Sequence, residues 1–101
     1  MSLPIMTPEQ REQALAAARI ARSQRTAALG EIRKGNLSVT DALTNPGPLQ
    51  RARVRQVLLA VPGIGPKTAD TLMADVKVDP QRRVAGLGSR QRAELVVRLA
   101  A

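Results

Sequence analysis

The 101-residue chain contains no cysteine, no histidine and no aromatic residue of any kind. Without cysteine there is neither a disulfide framework nor a thiolate nucleophile. Zinc sites draw on His and Cys, and acid–base chemistry near neutral pH most often uses His. The eight acidic residues are scattered along the chain, whereas a metal-dependent nuclease needs carboxylates clustered on neighbouring elements. The expectation is a non-enzymatic protein with no catalytic residue, no metal site and no cofactor. The missing Phe, Tyr and Trp also argue against single-strand binding of the usual kind, which stacks bases on aromatic rings. No apolar run reaches the length of a membrane span, and the N-terminus lacks the pattern of a secretory signal. A soluble, cytoplasmic protein with no membrane partner is expected.

What is present is positive charge. Sixteen Lys and Arg against eight Asp and Glu leave a net charge of +8. So high a charge on so small a domain points to a polyanionic partner. The charge is uneven. Up to Asn45 there are six basic and four acidic residues, and from Pro46 onward ten basic and four acidic. The C-terminal half, at +6, is the better candidate for the binding surface.

The elements read as helices throughout, because no segment alternates with the period of two that a strand requires. Residues 1–6 carry no periodicity and read as a flexible tail. Thr7-Pro8-Glu9-Gln10 is a helix start with Thr as cap, Pro in the first turn and Gln10 closing a capping box. The helix runs to about Lys34, where Gly35-Asn36 stops it, giving a basic N-terminal helix over 7–35. Arg11, Arg19, Arg22, Arg25 and Arg33 fall in one arc of roughly 120°. Ala14, Ala17, Ala21, Ala28 and Ile32 form a shallow neighbouring stripe, so this helix packs weakly. Ser38 caps a short helix over 39–43, and Asn45-Pro46-Gly47-Pro48 turns the chain. The next helix, ending near Val61, presents Val54, Val57, Leu58 and Val61 at i, i+3, i+4, i+7, with Arg51, Arg53 and Arg55 on its first half. Pro66 opens another, with Ala69, Leu72, Met73 and Val76 at the same spacing. Asp79-Pro80 begins an irregular segment, and Ser89 is the expected cap of a last helix bearing Leu95, Val96 and Leu99.

Two stretches look alike. Val61-Pro62-Gly63-Ile64-Gly65-Pro66-Lys67 precedes Val84-Ala85-Gly86-Leu87-Gly88-Ser89-Arg90 by 23 positions. Each runs apolar, small, Gly, apolar, Gly, then a helix with a basic residue just inside it. A helix start offers unpaired N–H groups and partial positive charge, which together favour an anion. Glycines remove the Cβ atoms that would hold a phosphate away. Such a corner touches backbone rather than base edges, so it positions without reading sequence.

Leu58-x-x-Val61-Pro62-Gly63-Ile64-Gly65 followed by Ala69-x-x-Leu72 resembles the helix-hairpin-helix of DNA-repair and recombination proteins. Nearly the whole chain resembles the actinobacterial integration host factor family. The resemblance rests on Leu3-Pro4 with Thr7-Pro8-Glu9-Gln10-Arg11, the Ala/Arg helix, Pro62-Gly63-Ile64-Gly65, and Arg82-Arg83-Val84-x-Gly86-Leu87-Gly88-Ser89-Arg90-Gln91. It implies an all-α, nucleoid-associated protein, with a long N-terminal helix ahead of a helix–two-turns–helix DNA-binding domain over 37–101. The family's members bind double-stranded DNA with little sequence preference, bend or compact it, and assist phage integration, so an integrase complex is an implied partner. Carried over by motif, Gly63, Ile64 and Gly65 supply backbone contacts, with Lys67, Thr68, Arg82, Arg83, Gly86, Gly88, Ser89 and Arg90 around them, and Arg51 and Arg53 as a basic pair. Pro66 and Ala85 depart, standing where the family commonly has basic residues.

Three other readings compete. Ribosomal small-subunit proteins also use a helix–two-turns–helix, so structured RNA is the alternative partner. A glycosylase or nuclease fragment fits poorly, because Asp70 and Asp75 lie within the hairpin's second helix and Asp79 is a natural turn cap. A membrane-surface helix lacks apolar bulk and Trp or Phe anchors. A monomer is expected, since no long apolar seam is visible.

Overall fold

The computed structural model describes residues 5–100, so most of the expected tail lies outside the described residues. Five helices follow in order: α1 Pro8–Lys34, α2 Val39–Thr44, α3 Val54–Ala60, α4 Pro66–Val76 and α5 Ser89–Ala100, with 3₁₀ turns at Gly47–Leu49 and Val84–Gly86. No strand forms among the described residues, and the fold is all-α.

Local chemistry sets the ends of α1. Thr7 Oγ1 accepts from Gln10 N–H at 3.1 Å while Gln10 Oε1 accepts from Thr7 N–H at 3.0 Å, a closed capping box. At the other end Gly35 adopts φ 80°, and Asn36 N–H returns to Glu31 O at 2.9 Å. Only a residue without Cβ takes that left-handed step without strain. Every residue of the helix from 8 to 24 is exposed; the first buried one is Leu29, followed by Ile32. Ala14, Ala17 and Ala21 therefore do not face the core, and of the expected stripe only Ile32 is buried and Ala28 partly so. Methyl groups offer too little area to hold a helix down, whereas Leu29 and Ile32 each contribute roughly 1.5–3 kcal/mol when buried.

The core gathers Leu43 from α2, Leu49, Val54, Val57 and Leu58 around α3, Ala69, Met73 and Val76 from α4, then Val84, Leu87 and Leu95. Arg98 Nη1 meets Asp75 Oδ2 at 3.6 Å, a half-exposed tie between α5 and α4. α4 ends on Lys77, the only non-glycine residue with positive φ (62°) among the described residues.

Two boundaries differ from the sequence reading. The third helix begins at Val54, so Arg51 and Arg53 precede it instead of decorating its first half. The cause is tertiary: Val54 N–H donates to Arg82 O (3.0 Å), Val84 N–H to Ala52 O (2.9 Å) and Ala85 N–H to Gln50 O (2.9 Å). These bonds tie 50–54 to 82–85, with Arg53 extended at the crossing, until α3 can start. Ser89 is likewise inside α5 and not its cap. Gly88 O accepts the first helical bond, from Arg92 N–H at 2.9 Å, and Gly88 N–H is held by Gln91 Oε1 at 3.0 Å.

Candidate nucleic-acid interface

The two glycine corners keep one hydrogen-bond register. Ile64 N–H bonds to Val61 O and Leu87 N–H to Val84 O, both at 3.2 Å; Ala69 N–H bonds to Gly65 O and Arg92 N–H to Gly88 O, at 3.0 and 2.9 Å. Each pair is related by the 23-residue offset of the sequence repeat. The backbones nonetheless differ. In the first corner Pro62 and Gly63, with Gly63 at φ 87°, make the turn that demands a positive φ at its third position. In the second corner residues Val84–Gly86 form a 3₁₀ turn and Gly86 needs no positive φ.

The first corner is open. A Cβ built on Gly63 or Gly65 would meet nothing within 4 Å, and Gly65 caps α4 without any side-chain bond. Among the described residues, the N–H groups of Gly65, Lys67 and Thr68 have no hydrogen-bond partner. These three donors, at the start of an eleven-residue helix, belong to exposed residues, Lys67 with its cationic side chain among them. Ile64 is partly buried against the core and anchors the loop. Pro66, as the first residue of α4, has no N–H to add.

The second corner is tighter. A Cβ on Gly86 would lie 3.1 Å from Arg82 Cδ, so Arg82 packs directly over it. Gln91 holds the corner from beneath: its Oε1 takes the Gly88 N–H, and its Nε2 donates to Lys77 O at 3.0 Å. Ser89 and Arg90 are exposed, and Arg90 Nε leans along α5 to Glu94 Oε1 at 3.1 Å. Ala85, the second position lacking a basic residue, spends its N–H on Gln50 O.

The arginines gather beside these corners. Arg51, Arg53 and Arg83 line one cleft of about 700 Å³, together with Arg25 from α1 and Arg55 from α3. Arg82, Arg83 and Gly86 line a second, with Asp79 and Gln81. Arg83 Nη1 donates to Arg51 O, fixing one guanidinium across the other's backbone. Among the described residues, Arg51, Arg53, Lys67, Arg82 and Arg83 make no ion pair; Arg55 does, with Asp70 Oδ1 of α4 at 2.9 Å. That pair links the arginine cleft to the helix that carries the first corner.

The sequence reading has Arg25 in an arginine arc and Arg55 beside Arg51 and Arg53, but leaves both outside the expected contact set. Arg25 stands one turn before Leu29, the first buried residue of α1, and is the one half-buried member of the arginine arc. No local pattern marks Arg55, whose position depends on α3 lying against α4.

Residues 39–99 match the S13-like H2TH domain family. Integration host factor of Mycolicibacterium smegmatis is 34% identical over 99 residues, covering 95% of this chain and 94% of that protein. The chain belongs to the actinobacterial integration host factor family. Integration host factor of Mycobacterium tuberculosis is similar to the same degree, and that of Streptomyces coelicolor is 33% identical over 98 residues. A solved structure, described as sIHF bound to an 8-base-pair palindromic DNA, shares the fold with a TM-score of 0.76 at 25% identity, covering 83% of this chain and 98% of that one. The integration host factor fold here carries both glycine corners and the arginine pair at 82 and 83 on its surface.

Proposed function

We propose that this protein binds double-stranded DNA with little sequence preference, gripping phosphates through its glycine corners, the starts of α4 and α5, and the arginines beside them. The observation that carries the reading is the first corner: three unpaired N–H groups around Gly65 at a helix start, open to the surface, with Lys67 beside them. The family membership and the DNA-bound relative support it. On this reading Arg51, Arg53, Gly63, Ile64, Gly65, Lys67, Thr68, Arg82, Arg83, Gly86, Gly88, Ser89 and Arg90 form the contact surface. Gly88 serves by shape, its N–H being held by Gln91.

The same reading has the protein act without catalysis, as a monomer on the nucleoid, bending or compacting the duplex and assisting site-specific recombination alongside a phage integrase. Among the described residues the large exposed hydrophobics are few, Ile5, Met6, Leu15 and Ile20 toward the start of the chain and Val97 on α5, which favours a monomer.

Backbone neutralisation makes log affinity fall linearly with log salt, by about 0.9 per phosphate engaged. For roughly six phosphates, gel-shift titrations on unrelated duplexes should weaken on the order of 10³-fold between about 50 and 200 mM salt. An affinity indifferent to salt would sink the reading.

The S13-like character of the matched domain favours a second partner class, structured RNA. Competition between duplex DNA and duplex RNA of equal length separates the two, and a clear preference for RNA moves the conclusion there.

A further inference from the structure

The cleft at the base of α3 holds more positive charge than a phosphate rail needs. Arg25, Arg51, Arg53, Arg55 and Arg83 line about 700 Å³ of space, with Gln56, Gln81, Leu59 and Pro80 completing the wall. Asp70 is the one acid paired with any of the five among the described residues. Arg25 Nε is out of solvent and has no hydrogen-bond partner among the described residues. Guanidinium groups brought this close repel one another, and a buried donor left unpaired is costly. The repulsion is relieved when one dense anion sits among them.

We propose that this cleft is a binding site for a nucleoside polyphosphate. Phosphates along a DNA strand are separated by sugars, whereas phosphoanhydride-linked phosphates share bridging oxygens and pack several charges into one spot. Five guanidinium groups line this one cleft. Arg55 shares its Nε with Asp70, and Arg83 one Nη with the Arg51 carbonyl. Arg51 and Arg53 make no ion pair among the described residues, so their forks can each hold two phosphate oxygens side by side. The volume is that of a small-molecule site, for which roughly 300–1,000 Å³ is usual. The rest of the lining suits a nucleoside: the Gln56 and Gln81 amides can both donate to and accept from a base edge, and Leu59 and Pro80 offer apolar cover for its face. Arg51, Arg53 and Arg83 belong to the proposed duplex surface as well, so an occupied cleft opposes DNA binding; that last clause alone rests on the duplex reading.

The test is isothermal titration of the full chain with ATP and, separately, with inorganic triphosphate, at physiological ionic strength. One ATP per chain is expected. Arg25→Ala and Arg53→Ala should each weaken it about tenfold, as loss of a charge-assisted hydrogen bond implies. Arg25→Lys, which keeps the charge and loses the fork, should weaken it several-fold and serves if Arg25→Ala does not fold. Gln56→Leu should lower ATP affinity toward that of triphosphate and leave triphosphate unchanged. Gly65→Glu should leave nucleotide binding intact while removing duplex binding, so the two readings fail separately. Several ATP molecules per chain, no measurable binding, or equal ATP affinity in wild type, Arg25→Lys and Arg53→Ala would overturn the site.

Discussion

Arg53 and Arg83 face each other across a single antiparallel bridge, the one place among the described residues where extended backbone pairs. The bridge explains how two stretches far apart in sequence bring their arginines to one surface. Arg53, extended at the bridge, stands opposite its buried neighbours Ala52 and Val54, and the exposed Arg83 precedes the buried Val84. The start of α3 at Val54, after the bridge, therefore leaves Arg51 and Arg53 outside the helix and on the surface.

Gly65 is the sharper probe of the contact surface. It has no positive φ and open space around a would-be Cβ, so Gly65→Glu leaves the fold undisturbed while placing bulk and negative charge among the free N–H groups. Gly63, at φ 87°, would confound binding with backbone strain. Gel shifts should find Gly65→Glu weaker on duplex DNA than Arg82→Ala/Arg83→Ala, with thermal melts unchanged for the former. Equal binding by wild type and both variants removes the corners from the interface.

Leu58 stands fully buried at the centre of α3. Truncating it leaves a cavity bounded by helices that cannot all close in. Leu58→Ala should cost about 2–5 kcal/mol. At about 4–8 °C per kcal/mol for a domain this size, the melting temperature should fall by more than about 8 °C. A smaller loss in a calorimetric melt would mean that α3 is not the hub of the core.

Lys77 invites the opposite change. It closes α4 in the left-handed conformation, φ 62° and ψ 46°, with its N–H turned back to Met73 and Ala74 carbonyls. At the corresponding end of α1 the chain uses Gly35. Lys77→Gly removes the Cβ conflict and should stabilise by about 1 kcal/mol. The Lys77 carbonyl still receives the Gln91 amide, so the second corner is kept. Chemical denaturation would read a higher midpoint with an unchanged slope; a lower midpoint would show that the lysine side chain matters more than its backbone.

How much of this was written in the sequence depends on how local the cause is. The capping box of Thr7 and Gln10, the Gly35 stop and the apolar spacing of Val54, Val57 and Leu58 are all set within one or two turns, and each was legible. The start of α3 and the cap of α5 were not. The first is fixed by bonds from 52–54 to 82–84, and the second by Gln91 reaching back to Gly88, a bond that competes with the usual preference for a Ser cap. The candidate site divides the same way. Both glycine corners can be read from spacing alone, whereas the joining of Arg25, Arg53, Arg55 and Arg83 into one cleft requires three separate packing contacts to be known.

The length of α1 outside the core leads to a prediction about motion. Residues 8–24 are exposed, with only Ala21 and Gln24 at their end lying beside 47–51, and none of them is buried in the core. Their support comes chiefly from the Thr7–Gln10 cap and from continuity with the anchored turns at Leu29 and Ile32. An unsupported helical stretch of this length is marginal in water. Local opening there should cost little, while opening at 29–32 requires Leu29 and Ile32 to leave the core. Hydrogen exchange should therefore show amides of 12–24 exchanging through a low-energy fraying motion, with protection rising steeply toward Ile32 and approaching that of Leu58. Uniform protection along α1 would mean that something outside the fold, such as a bound duplex or a second chain, holds the arm in place.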